Sequence, residues 1–166
     1  MALHLAQLNI ALPHEPLDSP LLSEFVTALD PVNQAADAAP GFVWRLQTEA
    51  GNAAAIKAFG DEHLIVNMST WESLKALRFC VLNPRQSGRP RRRCEWFTRL
   101  GQAHMVLWWI EAGRTPTVAE AERRLEALRT LGPSLSAFTF REHFPAPSRD
   151  DRPRATRDDQ QLCPAG

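Results

Sequence analysis

Apolar residues recur along this chain with two different periods, and the order in which those periods alternate limits the fold more than any other feature of the sequence. Residues 3–11, LHLAQLNIA, alternate as a strand does, with Leu8 and Ile10 on one face and Gln7 and Asn9 on the other. After Ser19-Pro20, an N-cap followed by a first-turn proline, Leu21, Leu22, Phe25, Val26, Leu29 and Val32 recur at helical spacing. Pro31 falls inside that pattern and predicts a kink or break; Pro40-Gly41 ends it. FVWRLQT (42–48) and AAAIKAF, joined by EAGN, predict a hairpin over 42–59, and LIVNMS (64–69) predicts a further strand. Ser69 and Glu72 fit a capping box that opens a helix with Trp71, Leu74, Leu77 and Val81 as its apolar stripe. RRRCEWF (91–97) predicts a short helical turn and HMVLWWI (104–110) a strand. Thr117 and Glu120 form a second capping box, before a helix carrying Val118, Ala121, Leu125, Leu128 and Leu131, and Gly132-Pro133 stops it. SAFTFREHF (136–144) reads as a last strand.

The core of this order is β-α-β-β-α-β, so the expected class is α+β with a ferredoxin-like subunit. Helices then cover one face of the sheet, and the other face needs a cover of its own. A twin sheet from a second copy supplies one, which predicts a homodimer and a dimeric α/β barrel. The domain is expected over residues 1–145, and the charged, proline-rich stretch 146–166 is expected to be a disordered tail.

Composition narrows the function classes. The 166 residues are 44% hydrophobic with 19 basic and 19 acidic side chains, so the formal net charge is zero. That suits one globular domain and argues against a dedicated nucleic-acid binder, which is usually basic. No apolar run approaches the roughly 20 residues of a membrane span, and MALHLAQLNIALPHEPL lacks the basic start of a signal peptide. The three cysteines, Cys80, Cys94 and Cys163, show no C-x-x-C spacing, which argues against a disulfide framework or structural zinc and for a reducing cytoplasm.

Candidate site residues come from the strand faces. Gln7, Asn9, Ile65, Asn67, His104 and Trp108 form a set that mixes amides, a histidine and an indole, as a ligand cavity does; the bland alternative is a solvated face or a dimer interface. His104 is the expected catalytic base, against the alternative of a half-exposed histidine at a strand start. Gln7, Asn9, Asn67, Trp44, Trp108 and Arg45 are expected to bind substrate, Arg45 because a charge set in an apolar strand needs a specific partner. Trp108 and Trp109, being adjacent, point to opposite faces. Arg78, Arg85, Arg89, Arg91, Arg92 and Arg93 form a basic block that reads as a solvated segment or an anion clamp. No H-x-H or H-E-x-x-H spacing occurs, so no metal site is expected; a lone axial histidine suffices for haem, which the sequence leaves open.

The runs HLAQLNIA, GFVWRLQ, VNMSTWESLKALR, RRRCEWF and LWWIEAGRTPTVAEA together resemble a bacterial, largely actinobacterial family of the dimeric α/β-barrel superfamily over about residues 3–145. The resemblance implies a ferredoxin-like subunit paired sheet to sheet with its twin. It departs at Gln86, where family members carry a histidine. The wider superfamily includes antibiotic-biosynthesis monooxygenases that use no cofactor, together with isomerases, cyclases and haem-handling proteins. The expected function is therefore cofactor-independent oxygenation of a small apolar, aromatic or polyketide-like metabolite. Isomerisation or cyclisation, and non-catalytic haem or metabolite binding, are the alternatives.

Overall fold

The computed structural model describes residues 2–47, 59–82 and 93–148. Four strands, β1 (Leu3–Ala11), β2 (Phe42–Arg45), β3 (Ile65–Trp71) and β4 (Met105–Glu111), form one sheet in the order β2-β3-β1-β4. Every neighbouring pair is antiparallel. Between them lie α1 (Ser23–Asp37), α2 (Leu74–Leu82) and the short α3 (Arg93–Trp96), and α4 (Val118–Leu131) follows the last strand. This connectivity and strand order make the ferredoxin-like α+β fold.

Two apolar layers hold the sheet. On one face, Ala6, Leu8, Ile10, Val66, Met68, Val106, Trp108 and Ile110 pack against Ala121, Leu125 and Leu128 of α4. On the other, Leu5, Trp71 and Leu107 pack against Leu77 and Cys80 of α2, with Ala36 and Ala39 at the end of α1. Fully burying a side chain such as Leu125 stabilises by about 2 kcal/mol. The polar face expected to meet a twin sheet, that of Gln7 and Asn9, therefore carries α1 and α2 of the same chain, and α4 covers the apolar face opposite. Phe25 of α1 stacks on Trp96 and Phe97, which ties the start of α1 to α3.

Several local expectations are corrected. β3 runs on through Trp71, so Ser69 lies in the sheet and Trp71 is not part of a helical stripe. The α2 cap is instead Ser73, whose Oγ accepts the Ala76 N–H at 3.1 Å. Ser69 loses that role because its side chain is engaged inside the sheet. Pro20 opens a short 3-10 turn, Pro20–Leu22, and Ser19 makes no side-chain cap bond there. α1 continues through Pro31 without ending. The last strand candidate shrinks to an isolated bridge, Leu107↔Phe138, with the Trp109 indole N–H donating to Phe144 O at 3.0 Å. The return half of the 42–59 hairpin and the tail beyond Ser148 lie outside the described residues. Among those residues no helix is long and apolar enough to cross a membrane.

The second capping box forms on the side expected. Thr117 Oγ1 accepts the Glu120 N–H at 3.2 Å and opens α4. The Glu120 carboxylate, buried, does not reach back; it takes two hydrogen bonds from Arg114, at 3.1 and 2.7 Å, and one from Arg124 at 3.2 Å. Burial pushes this carboxyl up, but the two guanidiniums outweigh it and hold it below the ordinary carboxylate range. A group with a lowered folded pKa contributes stability above its unfolded pKa, about 4.3 for glutamate, and loses it as the pH falls through the lower folded value. Glu120→Gln is thus expected to destabilise by about 1–2 kcal/mol at neutral pH, discounted because both arginines reach solvent. The difference from wild type should shrink as the pH falls below 4; urea titrations at pH 7 and pH 3 check this, and an equal difference at both would refute it.

Candidate functional site

The register of the central strands places polar side chains in rows across the face that α1 and α2 cover. One row is Phe42, Trp71, Leu5 and Trp109; the next is Arg45, Ser69, Gln7 and Leu107; the third is Asn67, Asn9 and Met105. A chain of hydrogen bonds joins the first two rows. The Trp71 indole N–H donates to Ser69 Oγ at 2.9 Å, and Ser69 Oγ donates to Gln7 Oε1 at 2.9 Å. All three residues are buried. In the third row, Asn9 is half-buried and Asn67 exposed, and the Asn9 Oδ1 atom is out of solvent with no hydrogen-bond partner. An unpaired buried amide oxygen costs about 1–3 kcal/mol until a further group pairs it.

Arg45 does find the specific partner that its strand context required. Its Nε and Nη2 donate to the two Asp37 carboxylate oxygens, at 2.7 and 3.3 Å, and this pins the end of α1 to the edge of the sheet. Gln7, Asn9 and Asn67 therefore share one face, as the alternation of β1 and β3 predicted, and Arg45 joins them in place of Trp44.

His104, Trp108 and Trp44 do not join them. Ala6 stands opposite Trp108 and Asn9 opposite Met105, so β4 is one residue out of phase with the expected partition. Trp108 lies on the Ala6–Leu8 face, fully buried under α4, with the Arg124 guanidinium 5.9 Å from its ring centroid. His104 precedes β4 and is exposed; its contribution to the sheet is its carbonyl, which accepts the Ile10 N–H at 2.9 Å. Trp44 stands opposite Thr70, past a bulge in β2, and packs with the Trp108 layer. The strand alternation of β4 is visible in its sequence, but its phase against β1 is set by pairing, which no local pattern encodes.

Ser69 and Trp71 are the residues that sequence reasoning missed. The signal was there: Asn67, Ser69 and Trp71 alternate in NMSTW, and assigning Ser69 to a helix cap hid it. An open groove of about 470 Å³ runs along α1, lined by Ser23, Glu24, Thr27, Ala28, Pro31 and Val32, and none of the sheet amides reaches it. Among the described residues no three His, Cys, Asp or Glu side chains gather as a metal site. Of the basic block, Arg78 is exposed on α2 and Arg85 to Arg92 lie outside the described residues, as does Gln86.

A family model described as a domain of unknown function, DUF3291, matches residues 4–155. The chain belongs to this family. The DUF3291 match spans the whole sheet and all four helices. Among solved structures, the chain is similar to SnoaB, a cofactor-independent oxygenase from Streptomyces nogalater, at 16% identity and a TM-score of 0.45, over 69% of this chain and 97% of that one. Among curated proteins none is significantly similar.

Proposed function

We propose that the amide face of β1 and β3 binds a small aromatic or polyketide-like metabolite by an oxygen-bearing edge, and that the chain catalyses its oxygenation without a cofactor. The unpaired, buried Asn9 Oδ1 beside the Trp71–Ser69–Gln7 chain carries this reading. Apolar side chains of the same face that are not sealed in the core, Ile65 and Met105, suit the flat wall of an aromatic ligand. They replace Trp44 and Trp108 in that role.

The three rows contain no carboxylate and no histidine, and their one charged member, Arg45, is tied to Asp37. These rows supply no base, and the reading takes a substrate acidic enough to ionise without one, such as an anthrone or a phenol. The protein's share is to hold the resulting anion with amide donors in a poorly hydrated site. The anion's carbon then gives its electrons to molecular oxygen and forms a C–O bond. Protonation of the peroxide and loss of water leave a carbonyl where a methylene stood, so one dioxygen yields one ketone oxygen and one water.

Oxygen uptake with anthrone as probe tests the proposal. One dioxygen is expected per anthrone, with no added metal or flavin, and the absence of enzyme-dependent uptake across acidic anthrones and naphthols would refute it. Asn9→Ala is expected to slow the reaction by about tenfold or more while leaving stability unchanged or slightly raised, because it deletes an unpaired buried oxygen. His104→Ala, at an exposed position, is expected to change neither. The homodimer belongs to the same proposal; exposed Leu131, the last residue of α4, and Leu135 just beyond it support it. Light scattering at micromolar concentration is expected to give twice the chain mass, and a folded monomer would remove the dimer.

A further inference from the structure

We propose that Trp71 and Ser69 are positioning residues that fix the polarity of Gln7, so that its amide nitrogen, and not its oxygen, faces the ligand. An indole N–H can donate and cannot accept. Trp71 Nε1 lies 2.9 Å from Ser69 Oγ, so that oxygen must accept from it. A serine hydroxyl has one proton, and its partner at 2.9 Å on the other side is the Gln7 amide. The hydroxyl keeps a second lone pair, but among the described residues its partners are Trp71 and Gln7, so an amide nitrogen turned toward it would leave the buried hydroxyl proton without an acceptor. Gln7 therefore meets it with Oε1, and the amide nitrogen is turned the other way. The assignment of the two amide atoms thus follows from pairing the hydroxyl proton once the indole has taken one lone pair.

The consequence is chemical. Gln7 is buried, its Nε2 makes no hydrogen bond within the described residues, and it stands beside Asn9 on the same face of β1. Its two N–H groups are then the donors that this face offers to a ligand oxygen, and Asn9 Oδ1 is the acceptor next to them. A donor pair beside an acceptor selects an oxyanion or carbonyl flanked by a hydroxyl, such as the singly ionised edge of a dihydroxyquinone. A neutral ether of the same shape leaves the donors unpaired. Trp71 is itself 2% exposed and held edge-on against Phe42 at a centroid distance of 5.3 Å, so it acts through Ser69.

The inference rests on the ligand-binding role of this face, and the test separates the two. The probes are a hydroxynaphthoquinone, ionised at neutral pH, and its neutral methyl ether, with affinity read by quenching of tryptophan fluorescence. Wild type is expected to prefer the anion. Gln7→Glu keeps the shape and replaces the donor by an acceptor, and is expected to weaken the anion by about a hundredfold with the ether changed by less than about threefold. Ser69→Ala and Trp71→Phe free the amide and are expected to lose about three- to tenfold of the preference; Ser69→Ala serves if the Trp71 variant fails to fold. Undiminished preference in Gln7→Glu overturns the inference and leaves the ligand site standing. If wild type binds neither probe, the ligand-binding reading fails, and the polarity is judged on the free protein by NMR. The Gln7 side-chain NH2 is expected to show no Overhauser contact with the Ser69 β-protons and to change its shift in Ser69→Ala. Contacts between the two in wild type overturn the inference.

Discussion

Replacing Trp108 with alanine is expected to destabilise the protein by about 4 kcal/mol, the range for deleting a buried tryptophan. The indole is fully buried in the layer between the sheet and α4, against Leu125 and its neighbours, and it forms the floor beneath the Arg124 guanidinium. Deletion opens a void that the sheet, fixed by pairing on both sides of β1, closes only in part. It also exposes the anchor of a network, since Arg124 donates to Glu120 and to Ser136 O. Trp108→Phe separates volume from polarity. The Trp108 Nε1 atom is buried with no hydrogen-bond partner, so phenylalanine leaves nothing unpaired and discards an unsatisfied donor. That variant is expected to cost only about 1–2 kcal/mol. Urea denaturation of the three proteins measures both differences; a loss below 1 kcal/mol for the alanine variant would mean that α4 is not docked on this face.

Gly41→Ala is expected to cost about 3 kcal/mol, from two separate causes. Gly41 holds φ at 79°, in the left-handed region where a Cβ atom costs roughly 1–2 kcal/mol. A Cβ there would also stand 2.6 Å from the Ala76 Cβ of α2, inside any real contact distance. The helix cannot simply retreat, because the Glu72 N–H donates to Gly41 O at 2.8 Å and fixes the start of α2 against this turn. Gly60 isolates the backbone term: its φ is 69° and nothing lies within 4 Å of an added Cβ, so Gly60→Ala should cost about 1 kcal/mol alone. Adding Ala76→Gly to Gly41→Ala removes the overlap, and should recover the steric part after allowance for about 1 kcal/mol of lost helix propensity. Chemical denaturation of these three variants and of Ala76→Gly alone resolves the terms, and full additivity in the double variant would show that the two Cβ atoms never meet.

Much of the architecture was legible because it depends on local chemistry. The alternation in LHLAQLNIA and LIVNMS, the helical stripe of 118–131 and the Thr117 cap each follow from side-chain direction or from an unpaired backbone N–H, within a few residues of chain. Their order then leaves the ferredoxin-like sheet as the simplest packing. The same alternation put Gln7, Asn9 and Asn67 on one face, and the apolar setting of Arg45 announced a partner that proves to be Asp37.

Ser69 shows where local reading stops. Ser-x-x-Glu before an apolar run is a sound capping pattern, and only the pairing of β3 with β1 through Trp71 overrides it. Once Ser69 faces Gln7 across the sheet, its hydroxyl serves two buried partners and Ser73 takes the cap. Pro31 is a second case. Its missing N–H and the crowding around its ring predict a break, yet α1 is helical on both sides of it, held at one end by the Phe25 contacts and at the other by the Asp37–Arg45 pair.

What the chain determines by itself, then, is the period of each element and the faces that each period creates. What only the tertiary structure decided is how the faces of different strands line up. A period of two allows β4 to meet β1 in either phase. The pairing of Ala6 with Trp108 buries that indole under α4, brings Met105 and Leu107 beside the amides, and leaves His104 in solvent. A shift of one residue would exchange every one of these positions, and the energy that chooses between the phases lies in the packing of α4 against the finished sheet.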